Sequence, residues 1–258
     1  MNIYVCVKQV PDTESKIELK DERTIDEAAI KKWIVSPYDE YAVEEAVGLK
    51  EKLRGDAQVI VVCLGPKKAS ESIRTTLAAG ADRALHIVCE EFLDHHLIAT
   101  ALAGAISSDG EYSGIFTGKQ AADDDAHQVH LRMARMLGAS VATSVIAFEY
   151  TPEAANVTRE IDEGAQEKVE LALPAVVAVT RGINTPRYPP LPNIMKAKKK
   201  EIRELTLADV GVSEVVNCEE IVALSVPDEK PGGRTVEGEV GQTVAELVGF
   251  LQNDAKVL

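Results

Sequence analysis

The sequence predicts an α/β protein with an open, doubly wound, mostly parallel sheet, a short antiparallel meander and an extended C-terminal arm. Over residues 1–140, short apolar runs alternate with amphipathic segments of helical period, which is typical of parallel strand–helix–strand units with right-handed crossovers. The runs are apolar on both faces, as expected for strands that helices cover on either side. Beyond residue 140, strands follow one another without helices, which indicates antiparallel pairing.

Four strands and four helices alternate in the first half of the chain. The patterns predict strands over 3–7, 57–64, 83–88 and 113–117, and helices over 39–53, 69–79, 94–107 and 125–137. Gly55, Gly80 and Gly138 each follow a predicted helix, and Gly55 is typical of a left-handed C-cap. The aspartates at 123–125 stand at the start of the fourth helix, where at least one of them is expected to act as a cap.

The second half opens with a predicted meander of strands at 145–150, 156–161 and 168–173, with turns at 151–152 and 163–164. A further buried strand is expected at 175–180. Residues 181–203 contain four of the eleven prolines within seven positions, which predicts an extended, exposed excursion. The rest predicts an arm that ends in a helix over 243–251. We therefore divide the chain into a domain of residues 1–204 and an arm of residues 205–258.

The charge distribution argues against one class of function and indicates another. The chain carries 42 acidic and 28 basic side chains, a formal net charge of −14, which argues against nucleic acid as the main partner. Between Arg181 and Arg203, however, seven basic residues accompany one acid, Glu201, so this stretch alone carries +6. Such an asymmetry is typical of an interaction site, although a solvated basic loop has the same charge pattern.

The four cysteines, at positions 6, 63, 89 and 218, show no CxxC or zinc spacing, and three lie in apolar runs. This usage is typical of a reducing compartment. No run approaches the roughly 18 apolar residues that a membrane span needs. The chain opens on a strand, so we expect no signal or transit peptide. Together these features predict a cytoplasmic, bacterial-type protein.

Ligands of open α/β sheets bind beyond the carboxyl ends of the strands. Four such ends can be located, at 7–9, 34–39, 63–66 and 117–120, and the last opens a loop of small and acidic residues before a helix. An anion such as a nucleotide phosphate can bind at that helix N-terminus.

Other chemistry has little support in the sequence. Consecutive carboxylates point in different directions, and His127 and His130 share a predicted helix face without a third ligand, so we expect no metal site. The sequence has no GxxxxGK[ST], GxGxxG or GxSxG motif, and no serine or cysteine with an identifiable histidine partner. We therefore expect no catalytic machinery for hydrolysis or group transfer.

Several segments resemble the β subunit of electron transfer flavoprotein, in the order of that family. They are VCVKQVPD (5–12), SPYDEYAVEEA (36–46), GADRA (80–84), GKQAADDD (118–125), REID (159–162), LPAVV (173–177), NTPRY (184–188) and LPNIMKAKKK (191–200). The resemblance implies an electron carrier subunit rather than an enzyme. It also implies a sheet of the adenine-nucleotide-binding type that holds AMP, and a heterodimer whose α subunit makes most of the contacts to a redox-active FAD.

The resemblance places the AMP site on the strand ends described above. The residues it implies are Cys6, Ser36, Pro37, Tyr38, Asp39, Leu64, Gly118, Lys119, Gln120, Ala121, Ala122, Asp123, Asp124, Asp125, Ala126, His127, Gln128 and Val129. Bifurcating members of the family hold a second FAD instead, and their loop is matched here at Gln128 and Val129. Asp124 and His130 add bulk and charge where a pyrophosphate would approach the backbone, so we favour AMP and keep a second FAD as the alternative.

The Pro-rich segment resembles the recognition loop of the family, here residues 184–200, with Leu191 in the place of the anchoring leucine. The residues implied in docking are Leu191, Pro192, Asn193, Ile194, Met195 and Lys196. A leucine between two prolines is preorganised to enter a pocket on a partner. The implied partners are the α subunit, acyl-CoA or other flavin dehydrogenases, and an acceptor such as electron transfer flavoprotein–quinone oxidoreductase.

Two interpretations from other classes stay open. One is a stand-alone adenine-nucleotide-binding protein of the stress-protein type, which would explain the sheet and the phosphate loop but neither the recognition loop nor the arm. The other is an oligomeric scaffold without a ligand. The nucleotides that copurify with the chain distinguish all of these possibilities.

Overall fold

A nine-strand sheet in the first 224 residues forms the framework of the chain. The computed structural model describes residues 1–54, 56–228 and 232–258, which group into two units, Met1–Leu224 and Ser225–Leu258. The first unit contains the sheet and a two-strand ribbon, and the second contains a C-terminal helix. The predicted cap at Gly55 lies outside the described residues.

The elements follow in chain order. The strands are β1 Asn2–Val7, β2 Gln9–Pro11, β3 Trp33–Val35, β4 Gln58–Gly65, β5 Arg83–Val88, β6 Gly114–Gly118, β7 Ser140–Tyr150, β8 Ala154–Glu160, β9 Gln166–Ala172, β10 Ala175–Val179 and β11 Ile202–Leu205. The helices are α1 Pro37–Lys52, α2 Ser70–Ala79, α3 His95–Asp109, α4 Val129–Leu137, α5 Leu191–Ala197 and α6 Val240–Asn253.

The sheet has the strand order β11-β5-β4-β1-β6-β10-β7-β8-β9. All neighbours from β11 to β7 pair in parallel, whereas β7, β8 and β9 pair antiparallel as consecutive strands. β2 and β3 form a separate antiparallel ribbon. The doubly wound, mostly parallel sheet and the meander predicted from the sequence are therefore confirmed.

Helices cover both faces of the parallel strands. α1 and α2 pack on one face, in a core that includes Val47 and Leu77. α3 and α4 pack on the other face, around Leu102 and Met133. The strand order reverses at β1, because β4 and β5 lie on one side of it and β6 on the other. This reversal creates a crevice at the carboxyl ends of β1 and β6, the place where open sheets bind ligands.

The fourth helix differs from its prediction. It begins at Val129 rather than at residue 125, and Gln128 occupies its N-cap. Asp125 and His127 have φ values of 49° and 56°, and a right-handed helix does not admit positive φ. The predicted capping by residues 123–125 and the shared helix face of His127 and His130 are therefore wrong.

The predicted extended excursion over 181–203 also contains regular structure. α5 begins after Pro190 with Pro192 in its first turn, where the missing N–H of a proline costs no helical hydrogen bond. β11 pairs with β5 at one edge of the sheet. The helix expected at 243–251 is confirmed as α6, while the domain boundary at residue 204 stays a prediction. Within the described ranges, every helix is too short or too polar to span a bilayer.

Candidate functional site

The carboxylate of Asp39 joins two strands at the crevice. Its Oδ2 accepts a hydrogen bond from the backbone N–H of Lys8, just after β1, at 2.8 Å. Its Oδ1 accepts one from the N–H of Gly118, the last residue of β6, at 3.0 Å. Asp39 lies in the first turn of α1, whose N-cap is Ser36. The start of α1 is thereby held against two of the four strand ends that the sequence predicts to form the site.

Burial gives Asp39 an unusual pKa. Desolvation raises the pKa of this carboxyl to about 7, against the lowering effect of the two N–H donors and of Lys8. The side chain is almost wholly removed from solvent, so its charged form depends on the dipoles of two backbone amides. Asp39 therefore titrates near neutral pH.

Gly118 permits the close approach of α1 to β6. A Cβ at this position would lie 2.6 Å from Asp39 Oδ1 and 2.6 Å from the Cβ of Tyr38. Any other residue would push the helix away from the strand, so the glycine serves close packing here. The ammonium of Lys119 lies 5.5 Å from the centroid of the Tyr38 ring, which is a cation–π distance.

Several buried polar atoms at this edge of the fold have no hydrogen-bond partner among the described residues. They include Gln9 Oε1, Ser36 Oγ, Thr117 Oγ1 and His130 Nε2. Leaving such a group without a hydrogen bond costs about 1–3 kcal/mol. The free hydroxyls of Ser36 and Thr117 at this edge therefore point to a polar ligand. Ser36 occupies the N-cap position of the helix that bears Asp39 without a capping hydrogen bond from its side chain, and Thr117 directly precedes Gly118.

Thr117 and His130 are absent from the residues that the sequence predicts to contact a ligand. The one signal for Thr117 is its position at the end of a strand, beside the glycine. Burial lowers the pKa of His130 to about 4, with a smaller effect from His127, so the ring is neutral at physiological pH.

The loop between β6 and α4 is held by ion pairs. Lys8 Nζ lies 2.8 Å from a carboxylate oxygen of Asp123 and 2.8 Å from one of Asp124. Asp124 also lies 3.5 Å from His95, which contacts Glu219 at 3.1 Å. The carboxylates that the sequence pattern assigns to helix capping thus neutralise a cation that follows β1.

The remaining predicted site residues lie at the same edge of the sheet, because β4, β1 and β6 are adjacent and parallel. Cys6, near the end of β1, is buried, and its Sγ lies 3.9 Å from Met133 Sδ. Leu64, near the end of β4, is half-buried. The ligand of these residues stays a prediction at this point.

The recognition loop presents apolar side chains to solvent. Leu191 is 72 % exposed and Tyr188 is 90 % exposed. Ile194 instead lines a cavity of about 650 Å³ between the loop, α1 and α2, together with Val43 and Arg74. No pattern in the sequence predicts this cavity, since its walls come from distant parts of the chain.

Fold and crevice together define a doubly wound α/β protein with a polar crevice at its switch point. Residues 25–210 match the family model described as the electron transfer flavoprotein domain. The chain is 41 % identical over 258 residues to electron transfer flavoprotein subunit beta of Bradyrhizobium diazoefficiens and 37 % identical over 263 residues to that of Bacillus subtilis, with all of both chains covered. It is 37 % identical over 261 residues to the subunit of Sus scrofa, covering 100 % of this chain and 99 % of the relative. The chain therefore belongs to the electron transfer flavoprotein β-subunit family, which confirms the resemblance.

Proposed function

We propose that this chain is the β subunit of a heterodimeric electron transfer flavoprotein, that it binds AMP in the crevice, and that it docks dehydrogenases through the recognition loop. The observation that carries the proposal is full-length similarity to electron transfer flavoprotein β subunits. The chain acts as an electron carrier subunit without a substrate of its own. When bound, FAD, held mainly by the α subunit, supplies the centre that takes up and passes on electrons.

The crevice offers groups that suit an adenine nucleotide. The hydroxyls of Ser36 and Thr117 are buried and unpaired, and each can donate to or accept from a ribose or phosphate oxygen. Gly118 lets the first turn of α1, with Tyr38 and Asp39, pack directly against the end of β6. Asp39 fixes both sides of the crevice by its hydrogen bonds to the ends of β1 and β6.

AMP suits the loop better than a second FAD. Residues 123–125 are all acidic, and Lys8 forms ion pairs with two of these carboxylates. The pyrophosphate of an FAD would have to approach the backbone of this loop closely, where Asp124 adds bulk and charge. The Gln128–Val129 pair nevertheless matches the bifurcating members, so a second FAD is the alternative candidate.

Nucleotide analysis of the purified complex tests the assignment. The chain is co-expressed with the α-subunit candidate from the same genome, and the complex is denatured and its nucleotides are quantified. We expect one FAD and one AMP per heterodimer. Two FAD and no AMP would support the bifurcating type, a homodimer with ATP the stress-protein type, and a colourless protein without nucleotide the scaffold.

Thr117→Val is expected to weaken AMP binding, because it keeps the shape of the side chain and removes the unpaired hydroxyl. Loss of one buried hydrogen bond lowers the affinity about tenfold. The AMP retained after extensive dialysis of the heterodimer measures the effect. Thr100→Val, on the outer helix α3, is the matched control and should retain AMP. Equal AMP retention by both variants would contradict the site.

Leu191→Ala is expected to slow reduction of the heterodimer by an acyl-CoA dehydrogenase, because truncating an exposed anchor removes its buried contact in the complex. The rate at limiting dehydrogenase should fall at least about tenfold, with AMP and FAD content unchanged. Ile161→Ala, also on the surface, serves as the control. Transfer at the wild-type rate by the Leu191 variant would rule out the docking role.

A further inference from the structure

The recognition loop is tied to α1 through Arg187. The backbone N–H, Nε and Nη2 of Arg187 donate to the carboxylate of Glu44 at 3.1, 2.8 and 2.8 Å. Nη1 and Nη2 also donate to Glu51, at 2.6 and 3.1 Å. Glu44 and Glu51 lie two helical turns apart and so share one face of α1. One guanidinium thus bridges two carboxylates, a geometry that its planar fork allows.

The inner half of this bridge is shielded from water and the outer half is not. The side chain of Glu44 is 15 % exposed, whereas that of Glu51 is 58 % exposed. Hydrogen bonds to Glu51 and Glu44 raise the pKa of Arg187, and Arg187 lowers the pKa of Glu51. Exposed pairs contribute little, so the Arg187–Glu44 half provides most of the restraint.

Further hydrogen bonds restrain the loop on both sides of α5. Before the helix, Asn184 Nδ2 donates to the Tyr41 carbonyl at 3.0 Å and to Glu45 at 2.9 Å. At the C-terminus of the helix, Arg74 Nη1 donates to the carbonyls of Ala197, its last residue, and of Lys200, at 2.7 and 2.5 Å. Leu191, at the first position of α5, therefore stands between two fixed points while its own side chain remains exposed.

We infer that Arg187 is a positioning residue for docking: by fixing the recognition loop on α1, it holds Leu191 in the orientation that a partner meets. The inference rests on the docking role proposed above. A loop ordered before binding loses less conformational entropy when it binds. Removing the guanidinium should therefore raise the KM for the partner and leave kcat nearly unchanged, because Arg187 has no part in the electron-transfer step itself.

The test uses the holo heterodimer as electron acceptor of an acyl-CoA dehydrogenase. Excess acyl-CoA substrate keeps the dehydrogenase reduced, and the absorbance of the heterodimer's flavin follows the transfer. For Arg187→Gln we expect the KM of the dehydrogenase for the heterodimer, its electron acceptor, to be about tenfold higher. The kcat should stay within about twofold of wild type, and the AMP and FAD content should be unchanged. Arg187→Lys keeps the charge but cannot bridge both carboxylates, so its KM should be intermediate. Arg181→Gln, exposed in the neighbouring turn, is the control and should match wild type.

Combining the variant with Leu191→Ala separates this inference from the docking role. If Arg187 acts through Leu191, Arg187→Gln adds less than about twofold to the KM once Leu191 is alanine. A full tenfold increase in that background would overturn the inference, as would a wild-type KM for Arg187→Gln alone. Wild-type kinetics for Leu191→Ala alone would instead refute the docking role.

A milder variant guards against loss of fold. Glu51→Gln breaks the exposed half of the bridge and keeps the Arg187–Glu44 pair, so no buried charge loses its partner. Its KM should rise by a smaller factor than that of Arg187→Gln, with wild-type nucleotide content. A KM rise for Arg187→Gln that is accompanied by loss of AMP or FAD would count against a positioning role.

Discussion

Asp39 has two protonation states with different consequences for the crevice. The ionised carboxylate accepts hydrogen bonds from both Lys8 and Gly118, whereas the protonated form avoids a buried charge. Burial raises the folded-state pKa from 3.8 to about 7, so the folded chain binds this proton more tightly than the unfolded chain. The contribution of Asp39 to stability is thus fully present below about pH 4 and is lost as the pH rises through about 7.

Asp39→Asn should remove this dependence, because the amide stays neutral at every pH. The difference in unfolding free energy between wild type and variant should change by up to about 4 kcal/mol between about pH 4 and about pH 7.5, with the wild type losing stability as the pH rises. Urea denaturation of the full chain at several pH values in this window measures it. A difference independent of pH would show that Asp39 ionises in the folded state as it does in the unfolded chain.

At the scale of elements, α3 comes close to the 3₁₀ turn Ala208–Val210 at Gly104. A Cβ on Gly104 would lie 2.0 Å from the backbone oxygen of Val210. A carbonyl oxygen fixed by the main chain cannot turn aside as a flexible side chain can. The turn that follows β11 is therefore packed on α3 only because residue 104 has no side chain.

Gly104→Ala is expected to lower the unfolding free energy by about 2–3 kcal/mol, because the turn and the helix must separate. Gly48→Ala is the matched control: Gly48 also lies within a helix, but its Cβ would have no heavy atom within 4 Å. The control should gain about 0.5–1 kcal/mol from helix propensity. Effects of the same sign in urea denaturation would contradict this account of the α3 contact.

The elements predicted correctly are those that depend on residues close in sequence. Strand 83–88 has the bounds of β5, since four of its six residues are apolar and Gly80 ends the helix before it. The loop before α4 was predicted wrongly because Lys8 shapes it from 115 positions away, and capping is a local rule. The bridge from Arg187 to Glu44 spans 143 positions, so no local pattern reveals it. The strand ends of the crevice follow from topology, whereas the hydrogen bonds of Asp39 to Lys8 and Gly118 span 31 and 79 positions and leave no local pattern.

At the scale of the whole molecule, the chain has a net charge of −14, and the basic residues of its +6 segment divide into internal contacts and exposed charges. Part of the positive charge holds the recognition loop in place: Arg187 pairs with α1, and Lys200 Nζ donates to the carbonyls of Leu77 and Ala81. Lys196, Lys198 and Lys199 are exposed. The positive surface available to an acidic partner is therefore smaller than the count of basic residues indicates.

A chain that ends at Leu224 is expected to keep the stability of the first unit. All buried apolar residues described in the chain precede residue 213, and α6 contains no buried residue. The melting temperature of the truncated chain should lie within about 2 °C of that of the full chain. The exposed Val240, Val244 and Leu247 suit an apolar partner surface, so association with the α subunit should weaken. A large fall in melting temperature would show that residues 225–258 support the fold.

Helix α1 contacts the crevice through Asp39 and the recognition loop through Glu44 and Glu51. Successive residues of a helix are turned by about 100° around its axis. Inserting or deleting one residue between Asp39 and Glu44 would therefore swing one set of contacts away from its target. A single substitution in this helix changes one side chain, whereas a change in the helix length displaces a whole set of contacts. Homologous chains that keep both sites must also keep the number of residues between them.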